Sequence, residues 1–62
     1  MEEKVNQRVM LSKRLLKESL IRRLKEESIY KISVRELCEQ AGINRTTFYK
    51  YYGSPFDLRK DI

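Results

Sequence analysis

The chain has no histidine, no tryptophan, one cysteine, one proline and two glycines among its 62 residues. Each shortage removes a class of chemistry. Without histidine there is no imidazole base, and no Cys/His zinc site can be assembled within one chain. The single thiol, Cys38, cannot form an internal disulfide, which fits a reducing compartment. No apolar run approaches the ~20 residues that span a bilayer, and nothing near Met1 resembles the hydrophobic core of a signal peptide. A cytoplasmic location is therefore expected. Charge-relay residues, metal-ligand clusters and a glycine-rich phosphate cradle are missing as well, so no enzyme activity, cofactor or metal is expected. Strand-like alternation, internal repeats and low-complexity tracts are also lacking, and the expected fold class is all-α.

Acid is scarce in two places. Residues 4–17 carry Lys4, Arg8, Lys13, Arg14 and Lys17 with no carboxylate, and none occurs from Gln40 to Phe56. Over the whole chain 14 Lys and Arg face 9 Asp and Glu, a net charge of +5. Such a balance favours a polyanionic partner, although a solvated basic face on a small domain carries the same charge. At this length there is one small domain, burying only about 60% of the surface of its unfolded chain. The division expected is a basic N-terminal arm over residues 1–8 and a helical domain over residues 9–62.

Nothing breaks a helix from about Val9 to Glu27, and Leu16, Leu20 and Leu24 recur at every fourth residue with Ile21 beside them. Glu18 can pair with Arg14 and Arg22 along the same helix. Ile29 to Ile32 reads as a short connection whose apolar members dock on the core. Ser33 and Glu36 have the spacing of a capping box, and Ile32 with Leu37 that of a hydrophobic staple, so a second helix starts there. Val34, Leu37, Cys38 and Ala41 share one apolar face, with Cys38 a small packing residue, and Gly42 is placed to close the helix in the left-handed conformation. Asn44 caps a third helix, with Ile43 and Phe48 repeating the staple. Ser54, Pro55 and Asp57 open a fourth helix carrying Phe56, Leu58 and Ile62. That helix is short, and the chain is expected to be a fragment of something longer.

The third helix has an unusual surface. Ile43, Phe48 and Tyr52 give an inward face, whereas Arg45, Thr46, Tyr49 and Lys50 point outward as hydrogen-bond donors. Helix, glycine turn and a donor-rich, acid-free helix form the skeleton of a helix-turn-helix, whose second helix enters a DNA major groove. The full expectation is a three-helix, homeodomain-like helix-turn-helix domain plus the start of a fourth helix. Arg45 has the fork that pairs with guanine O6 and N7; Thr46 and Thr47 offer hydroxyls and methyls to base edges. Tyr49 and Tyr51 suit phosphate contacts, with aromatic packing the alternative for Tyr51 and more so for Tyr52.

The run from Ile32 to Tyr52, ISVRELCEQAGINRTTFYKYY, resembles the DNA-binding domain of TetR/AcrR-type bacterial transcriptional regulators. The resemblance covers Leu16 to Leu58, and its most specific part is the segment from Gly42 to Tyr52. It implies that Ser33 touches a phosphate and that Arg35 contacts a base or phosphate from the second helix. It implies further that Arg45, Thr46 and Thr47 read base edges, that Tyr49 and Tyr51 grip phosphates, and that Lys50 is the variable outward position between them. By the same resemblance, a domain not included in this chain would bind a small-molecule effector and form the homodimer that meets a palindromic operator. Two positions depart from the family pattern: Tyr52 replaces a phenylalanine, and Pro55 stands where a phosphate-binding lysine is common. The function expected is sequence-specific double-stranded DNA binding, most simply by a repressor. The alternative is a small basic helical protein-interaction module using Lys13, Arg14, Arg22 and Arg23. A membrane-surface role for residues 4–17 is weaker, because bulky aromatic anchors are missing there.

Overall fold

A computed structural model of the chain describes the backbone of residues 2–62 and the side chains of residues 7–62. It comprises four helices and one 3-10 turn: α1 (Glu2–Leu24), the turn Ile29–Lys31, α2 (Val34–Ala41), α3 (Arg45–Tyr51) and α4 (Pro55–Lys60). There is no strand among the described residues. At ~1.5 Å per residue α1 is about 35 Å long, nearly the full 39 Å extent of the molecule. It is the spine on which α2 and α4 pack.

The core follows the leucine stripe. Leu16 and Leu20 are fully buried together with Ile32, Leu37, Cys38, Phe48, Tyr52 and Leu58, and Leu24, Val34, Ala41, Ile43 and Tyr51 pack around them. Ile21, beside the stripe, stays exposed, as do Met10 and Leu11 nearer the N-terminus. One buried polar group pins α1 to α2: the Ser19 hydroxyl donates to the Leu37 carbonyl at 3.2 Å and lies 3.1 Å from the Gln40 side-chain amide.

Both ends of α1 differ from the sequence expectation. The helix begins at Glu2, so the segment read as an arm continues it; Met1 and the side chain of Lys4 lie outside the described residues. Nothing in residues 4–17 breaks a helix, and seven unbroken residues upstream of Val9 simply extend it. At the other end α1 stops at Leu24, three residues before Glu27. There Lys25 and Glu26 donate to carbonyls three residues back, tightening the last turn. Burial of Ile29 and Ile32 decides this: continuing the helix would carry both away from the core. Arg23 secures the corner by pairing with Glu26, Glu27 and Glu36. Tyr30, between these isoleucines, is 84% exposed, and its ring lies tilted against Phe56 with centroids 5.5 Å apart.

The caps form where local sequence places them. Ser33 accepts from the Glu36 amide at 3.1 Å, Asn44 from the Thr46 amide at 2.8 Å, and Ser54 from the Asp57 amide at 3.4 Å. The reciprocal half of the Ser33 capping box does not form, because the Glu36 carboxylate turns to Arg23 at 3.4 Å. Of the expected pairs around Glu18, Arg14 forms one at 3.1 Å and Arg22 forms none among the described residues. In α4 only Leu58 reaches the core and Phe56 is exposed; Ile62, expected on this helix, lies beyond its end at Lys60 and is exposed as well.

Between α2 and α3 the chain reverses in a Schellman turn. Gly42 has φ +71° and ψ +32°, and the Ile43 amide donates back to the Cys38 carbonyl at 2.9 Å. A Cβ at Gly42 would meet nothing within 4 Å, so only the backbone resists a side chain there. Gly42→Ala should therefore cost about 1 kcal/mol, the left-handed penalty alone. Urea unfolding checks this: the midpoint falls and the slope is unchanged. A neutral result would mean that the turn is not held in this conformation.

Candidate nucleic-acid interface

The geometry of α3 follows from its two anchors. Phe48 is fully buried, with Tyr49 edge-on at 5.4 Å and Tyr52 tilted at 5.7 Å. Asn44 fixes the first turn, and the Tyr52 amide closes the last on the Phe48 carbonyl at 2.9 Å. With ~100° between successive residues, Arg45, Thr46, Tyr49 and Lys50 fall within one arc of about 140°. All four are exposed, Tyr49 by 57%. Neither Arg45 nor Lys50 makes an ion pair among the described residues. Their charge is open to an external anion.

Thr47 and Tyr51 lie elsewhere, on the flank of α3, and both are half-buried. The Tyr51 ring packs edge-on against Tyr52 at 6.4 Å, and the Lys13 ammonium sits 5.5 Å from its centroid. The packing alternative for Tyr51 thus holds for the ring, while its hydroxyl makes no hydrogen bond among the described residues. On α2, Ser33 and Arg35 are exposed. The Ser33 oxygen accepts the Glu36 amide, and among the described residues its hydroxyl proton has no acceptor, so it can donate outward. Arg35 lies 3.6 Å from Glu39 at high exposure, an ion pair of little strength. Cys38 is buried between α2 and α3, and burial pushes its thiol pKa up, against a smaller lowering by Arg45.

Behind this surface lies a polar knot that joins three helices. The Tyr52 hydroxyl donates to Asp61 at 2.6 Å, and Lys17 of α1 pairs with the same carboxylate at 3.4 Å. The tyrosine hydrogen bond, with help from Lys17, holds the Asp61 carboxyl below its usual range, while burial and the carboxylate push the Tyr52 phenol up. Here the extra hydroxyl that distinguishes Tyr52 from phenylalanine finds its partner. Because the Asp61 pKa is depressed, the knot stabilises the fold above the ordinary carboxylate pKa and weakens as pH falls through the folded value. Because the Tyr52 pKa is raised, its contribution persists up to the ordinary tyrosine pKa and is lost above it. Tyr52→Phe should lower the Tm by several degrees at neutral pH and by much less in acid. Circular dichroism melts across that range check it, and equal losses at both ends would contradict the assignment.

Three side chains near the surface are not among the DNA-contact residues expected from sequence, although Lys13 belongs to the alternative basic face. Lys13 stands three residues before Leu16, so the leucine period placed it at the rim of the core stripe. That was the available signal. Tyr30 and Phe56 meet only through the tertiary fold, and no sequence pattern joins them. Comparison of the chain with family models, curated proteins and solved structures finds no match.

Proposed function

We propose that this chain is a sequence-specific reader of double-stranded DNA. In this reading α2, the Gly42 turn and α3 work as a homeodomain-like helix-turn-helix, with α3 lying in the major groove. The observation that carries it is the exposed arc of Arg45, Thr46, Tyr49 and Lys50, rich in donors, without a carboxylate and without ion pairs among the described residues. Arg45 and Thr46 contact base edges from the first turn of α3, with Thr47 at the margin of that surface. Tyr49 and Tyr51 bind phosphates, and Ser33 and Arg35 add contacts from α2. Lys50 serves either base or backbone. At Pro55 no lysine is available; the Asp57 amide is taken by Ser54, which leaves the Phe56 amide at the start of α4 as the donor there.

The resemblance to TetR/AcrR-type regulators supports a place in a cytoplasmic, ligand-responsive regulator, most simply a repressor. Dimerisation on the operator and effector binding then belong to a further domain, and the reading invokes no catalysis or cofactor. Selection from a pool of randomised duplexes tests the specificity. A recurrent short sequence is expected, and an unenriched pool after repeated rounds would refute it.

A further inference from the structure

We propose that Lys13 of α1 and Tyr51 of α3 form a single clamp for a DNA backbone phosphate beside the groove that α3 enters. The proposal rests on the DNA-reading function and adds a binding residue from a different helix. The Lys13 ammonium lies 5.5 Å from the centroid of the half-buried Tyr51 ring, a cation–π arrangement that localises a flexible side chain. Among the described residues Lys13 makes no ion pair and the Tyr51 hydroxyl no hydrogen bond, while the Lys13 charge makes a small contribution to holding the Asp61 carboxyl low.

The shallow recess around them is lined by Lys13, Tyr51, Tyr52, Asp57, Lys60 and Asp61. Its two carboxylates, which would repel a phosphate, are already engaged. Asp61 accepts from Tyr52 and pairs with Lys17, and Asp57 accepts from the Gly53 amide at 3.0 Å. Both carboxylates keep their charge, but with Lys17 on Asp61 the three ammonium groups of Lys13, Lys17 and Lys60 exceed the two carboxylates by one, so the local balance is positive. Its location matters as well: Tyr51 sits on the flank of α3, off the arc of Arg45, Thr46, Tyr49 and Lys50. A backbone running along the groove edge meets this flank while bases meet the arc.

The test is the salt dependence of binding to a fluorescein-labelled duplex of mixed sequence, followed by anisotropy. Each phosphate neutralised contributes about 0.9 to the slope of log K against log salt. Lys13→Met keeps the apolar stem and removes the charge, and it should flatten the slope by about that amount. Lys13→Arg should leave the slope as in the wild type. Tyr51→Phe should weaken binding about 10- to 150-fold at unchanged slope, the loss of one neutral donor to a charged acceptor. In the Tyr51→Phe background Lys13→Met should cost less than it does alone, because both act on one phosphate.

Lys25→Met, which removes a charge just beyond the C-terminal end of α1, is the control and should leave the slope unaltered. A wild-type slope in Lys13→Met, or an equal flattening in Lys25→Met, overturns the clamp and leaves the DNA reading standing. Absence of any duplex binding by the wild-type chain at low salt overturns both. Thermal melts of each variant separate loss of contact from loss of fold.

Discussion

Phe48→Ala should unfold most of the molecule near ambient temperature. Phe48 is fully buried at the centre of the cluster that joins Leu16 and Leu20 of α1, Leu37 and Cys38 of α2 and Leu58 of α4. Truncating a buried phenylalanine to alanine costs about 3–5 kcal/mol, combining lost transfer energy with the cavity left behind. A 62-residue domain at ~0.05–0.15 kcal/mol per residue has only about 3–9 kcal/mol to lose. Relaxation cannot fill the gap cheaply, because Tyr49 and Tyr52 already lean on the Phe48 ring from two sides. The measurable outcome is a drop of roughly 15–30 °C in Tm, or no cooperative transition at all. Phe48→Leu, which leaves a smaller void, should lose distinctly less. If Phe48→Ala melted within a few degrees of the wild type, α3 would not be anchored as described.

Arg45→Ala should leave the fold intact and remove discrimination at one base pair. Arg45 is exposed and makes no ion pair among the described residues, so thermal stability should stay within about 0.5 kcal/mol. A bidentate arginine–guanine contact is worth about 1–3 kcal/mol of discrimination, roughly 5- to 150-fold in relative affinity. The variant should bind the selected sequence and its single-base substitution at the contacted pair almost equally. Tyr49→Phe should behave differently, weakening every sequence alike, because a phosphate contact carries no sequence information. Competition binding with a panel of singly substituted duplexes reads both. A uniform loss in Arg45→Ala would move that residue from base to backbone.

The features legible in the sequence are those decided within a few residues. Ser33, Asn44 and Ser54 cap because a hydroxyl or amide oxygen reaches amides two or three residues on, whatever lies around them. Gly42 takes the left-handed conformation for the same local reason. Burial of Leu16, Leu20, Leu37 and Phe48 was readable from period alone. What was not readable depends on partners distant in sequence. Glu36 leaves its capping box for Arg23, thirteen residues earlier, and Ser19 bonds the Leu37 carbonyl eighteen residues on. The end of α1 is set by the burial of Ile29 and Ile32 rather than by helix propensity, which continued to Glu27.

The candidate surface divides along the same line. Arg45, Thr46, Tyr49 and Lys50 share an arc by helical geometry, which sequence spacing supplies. The half-burial of Tyr51 and its contact with Lys13 required the packing of α1 against the rest of the fold.

The most direct test of the central claim is an amide-resolved NMR titration of the chain with its selected duplex. Shifts should concentrate on Arg45, Thr46, Tyr49 and Lys50, with smaller ones at Ser33, Arg35 and Tyr51. Shifts confined to Arg14, Arg22 and Arg23 on α1, with α3 silent, would contradict it and favour a basic interaction face.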